Sequence, residues 1–419
     1  MRKTLFPRLF LFPAIVFLLF SFAACRKNNT ANTRKYTIYT PVLKVKSEVL
    51  AAINGDAARR VSATGKLYIK DNFIYLNEVD KGIHVIDNSD RSHPSQVAFL
   101  DIPGNRDIAI RGNTLYADMY ADLLAIDISN PKKAVVKNRL SNFFTERIYV
   151  NNTVVDSSMV AVAWKTRDTT VQAEIFDGCP NCDILTFNAT GPVPAMSSDK
   201  SNGTAGSMAA MVLINDYLYA VSERHTLSVV NISQTENPVL KNSFFAGFDL
   251  ETIYPFENKL FMGSQIGLFM YDVSNPESPV QLGQFSHGRA CDPVVTDGNY
   301  AYVTLHAGTT CGGDANELNI VDVKDLMNPV LVKTYPLTKP TGLSKDGDIL
   351  FVCDDADGVR VYNASNPDNL KLLQQIESNE PYDVIAGNNH LMVVAKDGLY
   401  QYNYNKLGTV RKLSFISTR

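Results

Sequence analysis

Histidine, cysteine and tryptophan are scarce in this sequence: six, six and one (Trp164) among 419 residues. None of the histidines, His84, His93, His225, His287, His306 and His390, sits in a metal-binding or nucleophile-activating motif, although His287 and His306 are expected to cluster with Arg289. No Gly-x-Ser-x-Gly elbow and no phosphate-cradling glycine loop is present. No metal and no cofactor is therefore expected, and no catalytic residue can be named. Charge bias is lacking too. The 40 basic residues against 43 acidic ones leave a net charge of −3, so nucleic acid is not an expected partner. Hydrophobic content of 45% and charged content of 20% are those of an ordinary globular chain with ample core.

Residues 1–24 stand outside the fold. Arg2 and Lys3 make a basic start, Leu5 to Phe22 an apolar run broken by Arg8 and two prolines, and Ala23-Ala24 precede Cys25. This resembles a bacterial lipoprotein signal peptide. The resemblance implies cleavage before Cys25, lipidation of Cys25, and membrane attachment through that lipid. The leucine usual three residues before such a cysteine is Phe22 here. Removing Arg2, Lys3 and Arg8 takes the charge from −3 to −6. Residues 25–35 read as a polar tether, and 36–63 as a strand (Tyr36 to Val45) followed by one or two helical turns (Lys46 to Ile53). The expected location is the bacterial outer membrane. The sequence Arg26-Lys27-Asn28-Asn29 leaves open whether the chain faces the periplasm or the exterior.

From residue 64 onward one phrase recurs. An apolar run ends in Asp or Asn, then a turn of Ser, Asn and Pro follows, as in Gly267 to Phe285. Taking Asp87, Asp127, Asn231, Asp272, Asp322, Asn363 and Asn403 as markers gives a period near 41 residues, with one long gap between Asp127 and Asn231. Asp177 is the best candidate for a marker hidden in that gap. About twenty residues upstream of most markers sits a hairpin turning on Asp, Asn and Gly, such as Asp297-Gly298-Asn299. Four short antiparallel strands per unit, labelled a to d, with no helical period, make an all-β chain. Radial repetition makes it a β-propeller. Units begin near residues 64, 105, 142, 206, 248, 289, 339 and 378, so eight blades are expected over 64–419. The unit at 142 matches poorly, and seven is the alternative count.

The segments Leu124-Ala125-Ile126-Asp127-Ile128-Ser129-Asn130-Pro131, Leu318-Asn319-Ile320-Val321-Asp322-Val323 and Val361-Tyr362-Asn363-Ala364-Ser365-Asn366-Pro367 resemble the LVIVD-repeat proteins. These are exported bacterial proteins with a propeller fold. The resemblance covers about Thr64 to Ser417, and it implies an architecture and an address without a reaction.

Strand order separates two faces. The a–b and c–d turns are short and uniform, whereas the b–c turns and d–a connections vary, so binding is expected on the b–c/d–a face. Candidate binding residues there are Arg224, His225, His287, Arg289, His306, Asp354 and Asp355. Export favours disulfides over thiolate metal sites. Cys291 and Cys311 flank one hairpin and are read as bridged. Cys179 and Cys182, in Cys-Pro-Asn-Cys, are read as a local disulfide, with a redox dithiol or half a zinc site as alternatives. Cys353 reads as a core thiol. Asp355, Asp357 and Gly358 partly match a calcium loop but lack its closing glutamate. The expected function is a monomeric, non-catalytic envelope scaffold that binds a protein or glycan. The alternative is a propeller hydrolase or lyase with polar residues gathered at the mouth of the central channel.

Overall fold

The computed structural model describes residues 33–172, 204–288, 293–308, 313–406 and 408–418. The chain divides into two compact units, residues 1–40 with 165–187, and residues 41–164 with 188–419. The strands Thr33–Val45 and Met159–Gln172 pair as a two-stranded ribbon, so the first strand does not join the last blade. Within the first unit Thr37 Oγ1 donates to Asp168 Oδ1 at 2.8 Å.

The larger unit opens with the helix Lys46–Ala52. It continues as seven antiparallel blades of four strands spanning 67–101, 108–140, 211–245, 250–286, 294–336, 343–376 and 381–417, the first of which takes Thr204–Ala205 as a fifth strand. The first strands of successive sheets adjoin one another, which makes strand a the inner strand of each blade of a propeller. The count is seven. The expected unit at 142 is an insertion instead: a short hairpin, Tyr149–Val150 with Thr153–Val154, and one strand of the ribbon. Its apolar stretches mimic strand composition, but they lack the spacing that would pair them in a sheet of four. Asp177 and the Cys179/Cys182 pair lie outside the described residues.

The recurring marker has a physical role in the blade. Asp87, Asp127, Asn231, Asp272, Asp322 and Asn363 each accept, through Oδ1, the backbone N–H two residues on. This fixes the c–d turn as an Asx turn. The N–H of the residue after each marker then donates to a carbonyl in the a–b turn, from Asn88 to Asn72 through to Tyr404 to Asn389. One side chain thereby locks both turns of a blade together. Every c–d strand pair also carries a register shift at the same step, as between Ala125 and Ile126, which adds local twist to the outer strand.

Ring closure uses side chains rather than a shared strand. Val61, Leu67, Ile74, Leu76 and Ile86 of the first-blade region pack on Ile385, Met392, Val394 and Leu399 of the seventh. Asn88 and Gln401 exchange side-chain hydrogen bonds of 3.0 and 2.8 Å across the same seam. Thr64 Oγ1 donates to Ala395 O at 2.7 Å. Leu67 is fully buried there. We expect Leu67→Ala to cost about 3 kcal/mol, read as a lowered urea midpoint. A loss under about 1 kcal/mol would mean the seam is open in solution.

Candidate functional site

The b–c/d–a face has two distinct regions, the channel mouth and the outer rim. At the mouth, the described chain resumes at Thr204. Thr204 and Ala205 pair with Ile69 and Tyr68 on the inner edge of the first blade's strand a. Residues 204–210 therefore run inside the channel before entering blade three. Ser207 Oγ accepts from Leu343 N of blade six at 2.8 Å. Ala209 O accepts from Ile253 N of blade four at 2.6 Å, and Ala210 N donates to Asp107 Oδ2 of blade two at 2.8 Å.

Around this segment the polar side chains converge. Asp107 Oδ2 also takes Lys66 Nζ at 2.8 Å, while its Oδ1 accepts from Ile108 N at 2.8 Å. Burial pushes the Asp107 carboxyl up, and Lys66 opposes that. Asp383 Oδ1 accepts from Val384 N at 2.9 Å, the same device at the seventh blade. A β-carbon on Gly206 would sit 1.9 Å from Asp383 Oδ2, so the close approach requires glycine. Burial raises the Asp383 pKa to about 8 from 3.8. Asp118 completes the network, accepting Asn105 Nδ2, Arg106 N and Asp107 N at 2.7 to 2.9 Å and pairing with Arg147. Lys66, Asp107, Ser207 and Asp383 are all buried. Their hydrogen bonds go to backbone and to each other, so the arrangement holds a chain segment in place.

Each candidate from the sequence can now be located. Arg224 Nη2 lies 3.2 Å from Asp249 Oδ1, and its backbone N donates to Glu146 Oε2 at 3.0 Å. His225 Nδ1 accepts from Asp249 N at 3.0 Å, and its ring packs edge-on to Phe248 at 5.4 Å. Asp354 is buried and accepts from Thr338 N, Lys339 N and Arg360 Nε at 2.9, 2.7 and 2.6 Å. It pins a d–a connection and offers nothing to a ligand. Asp355 pairs with Lys339 at 3.1 Å. Asp357 pairs with Arg360 at 2.8 Å, so a guanidinium already neutralises the partial calcium loop. His287 is half-buried and bonded to Gly288 O at 2.6 Å, and His306 is half-buried too. Arg289, Cys291 and Cys311 lie outside the described residues, as does Cys25. Cys353 is buried with no disulfide partner, and burial raises its pKa.

The rim carries two repeat-equivalent clefts. One, of about 350 Å³ between blades two and three, is hydroxyl-lined. The Ser222, Ser228 and Ser243 hydroxyls form a chain with 2.7 Å steps beside Glu223 and Arg139. The other, of about 270 Å³ between blades three and four, is lined by Phe245, Phe248, Ile266, Phe269, Tyr271 and Phe285. Phe245 and Phe248 are 58% and 56% exposed, with ring centres 5.0 Å apart at 74°. Arg224 and His225 stand beside this second cleft. The phenylalanines were not singled out from sequence, although Phe244, Phe245 and Phe248 crowd a d–a connection where polar residues are the rule.

A seven-bladed propeller with a filled channel and an elaborated rim is the class these features define. The LVIVD repeat model matches residues 62–100, 104–140, 205–245 and 287–336, so blades one, two, three and five carry LVIVD repeats. No curated protein sequence matches it. Among solved structures, Sqt1 from Saccharomyces cerevisiae is 9% identical with a TM-score of 0.52, covering 85% of this chain and 87% of that one. The periplasmic gluconolactonase PpgL of Pseudomonas aeruginosa is 12% identical with a TM-score of 0.52, covering 84% and 96%. BamB from Moraxella catarrhalis is 9% identical with a TM-score of 0.50, covering 87% and 97%. These likenesses speak to the fold alone.

The pKa of Asp383 has a measurable consequence. The folded value near 8 exceeds the unfolded 3.8, so the native state holds the extra proton between them. Its stabilising contribution is complete below the unfolded value and is lost as pH rises through the folded one. Across that window we expect stability to fall relative to Asp383→Asn by up to about 1.4 kcal/mol per pH unit. Parallel urea-unfolding profiles for the two proteins would contradict the assignment.

Proposed function

We propose that this protein is a lipid-anchored envelope component whose propeller binds a protein or glycan through the b–c/d–a face, without catalysis of its own. The cleft between blades three and four is the contact. The observation that carries this reading is the exposed Phe245/Phe248 pair, with Ile266 and Phe285, over a rigid seven-bladed base. Two exposed rings offer apolar area that a ligand can cover, and aromatic anchors in preformed clefts dominate many binding energies. The neighbouring hydroxyl-lined cleft offers hydrogen bonds one blade away.

The catalytic alternative draws less support. The channel-mouth carboxylates are buried, and the oxygens of Asp107 are committed to Lys66, Ile108 N and Ala210 N. The lipid anchor and the outer-membrane location are part of this proposal, and the sequence around Cys25 is what supports them.

Glycan arrays and cross-linking on intact cells probe the two ligand classes. We expect Phe248→Ala to weaken the bound ligand roughly thirtyfold, about 2 kcal/mol, while stability changes by less than about 0.5 kcal/mol because the ring is exposed. Binding that survives Phe248→Ala and Phe245→Ala together would remove the cleft from the proposal.

A further inference from the structure

We propose that the ribbon formed by Thr33–Val45 and Met159–Gln172 is a lipid-contacting element that lies against an anionic membrane surface. The proposal builds on the reading of Cys25 as the acylated residue.

Charge is the first observation. In a chain of net charge −3, no Asp or Glu occurs between Cys25 and Glu48, while Arg26, Lys27, Arg34, Lys35, Lys44 and Lys46 do. Lys46 is already committed, buried between Asp122 and Asp156. In the described outer part of the ribbon Lys35, Lys165 and Arg167 are exposed. The acid on these same strands, Asp168, accepts from Thr37 Oγ1. The excess is positive where the rest of the chain is acidic, which suits anionic headgroups.

Apolar exposure is the second. Tyr36, Ile38 and Tyr39 are 47%, 39% and 44% exposed on one strand. Tyrosines with cations beside them match the bilayer interface, where a ring sits at headgroup depth and its hydroxyl stays wet. Alternation along the strand puts Tyr36 and Ile38 on one face and Tyr39 on the other. A docking edge for a partner strand would gather its apolar side chains on one face, whereas a ribbon sunk into headgroups meets lipid on both.

Chain length is the third. Thr33 follows Cys25 by eight residues. Even fully extended, such a spacer reaches less than about 30 Å. An acylated Cys25 therefore keeps the start of the ribbon near the surface, and the basic, tyrosine-bearing sequence fits that place.

The test uses the processed chain from Arg26, without acyl groups, and vesicles of phosphatidylethanolamine with phosphatidylglycerol against vesicles of phosphatidylcholine alone. We expect co-sedimentation with the anionic vesicles only. Combining Lys35→Glu, Lys165→Glu and Arg167→Glu should weaken it more than about tenfold, as should raising the salt. Tyr36→Ser with Ile38→Ser should weaken it at any salt. Unchanged thermal melting controls for folding. Equal partition to both vesicle types, or partition that ignores these variants, overturns the proposal. Acyl labelling of the full chain in cells is read separately. Labelling that fails while anionic vesicles still bind removes the anchor and leaves the ribbon's contact standing.

Discussion

A backbone segment placed along the axis of a propeller must have its N–H and C=O groups answered from the surrounding blades, because water is excluded there. Residues 204–210 meet that demand with donors and acceptors from blades one, two, four and six, and with Gly206 against Asp383 of blade seven. The charges at the mouth follow from this need. Lys66 and Asp107 neutralise each other, and Asp107 still has an oxygen for Ala210 N. Asp383, too buried to be charged cheaply, holds its proton. The segment that fills the channel also ties together blades that are distant in sequence, which complements a seam closed by side-chain packing and side-chain hydrogen bonds.

With the channel filled, the irregular rim becomes the place where the molecule differs from a bare ring. Two clefts at equivalent inter-blade positions have opposite character, one hydroxyl-lined and one aromatic. The difference arises from a few residues in blades three and four: Ser222, Ser228 and Ser243 in one, Phe245, Phe248 and Phe285 in the other. A repeat scaffold permits this because its backbone is set by the marker turns and not by what the loops carry.

Much of this was legible beforehand. The Asp and Asn markers were readable because one side chain must fix the c–d turn in blade after blade, so its spacing reports the blade period. The count of eight failed where apolar residues after Asn142 imitate strands without forming a sheet of four. Asp354 looked like a surface acid. Its burial follows from three donors supplied by residues that a linear reading does not bring near it. Arg224 and His225 lie in the b–c turn of blade three, and the phenylalanines beside them went unremarked, because a phenylalanine's exposure depends on the neighbouring blade. Lys66, Asp107 and Asp383 were also missed. Their signal, a charged residue at the start of strand a, becomes meaningful once the channel is known to be occupied.

The central claim is that residues 204–210 are an integral part of the ring, held by the blades around them. Hydrogen exchange at the amides of Ala210, Ile253 and Leu343 tests it most directly. The account predicts that all three exchange only with global unfolding, as slowly as the inner strands. Exchange at loop rates while those strands stay protected would contradict it.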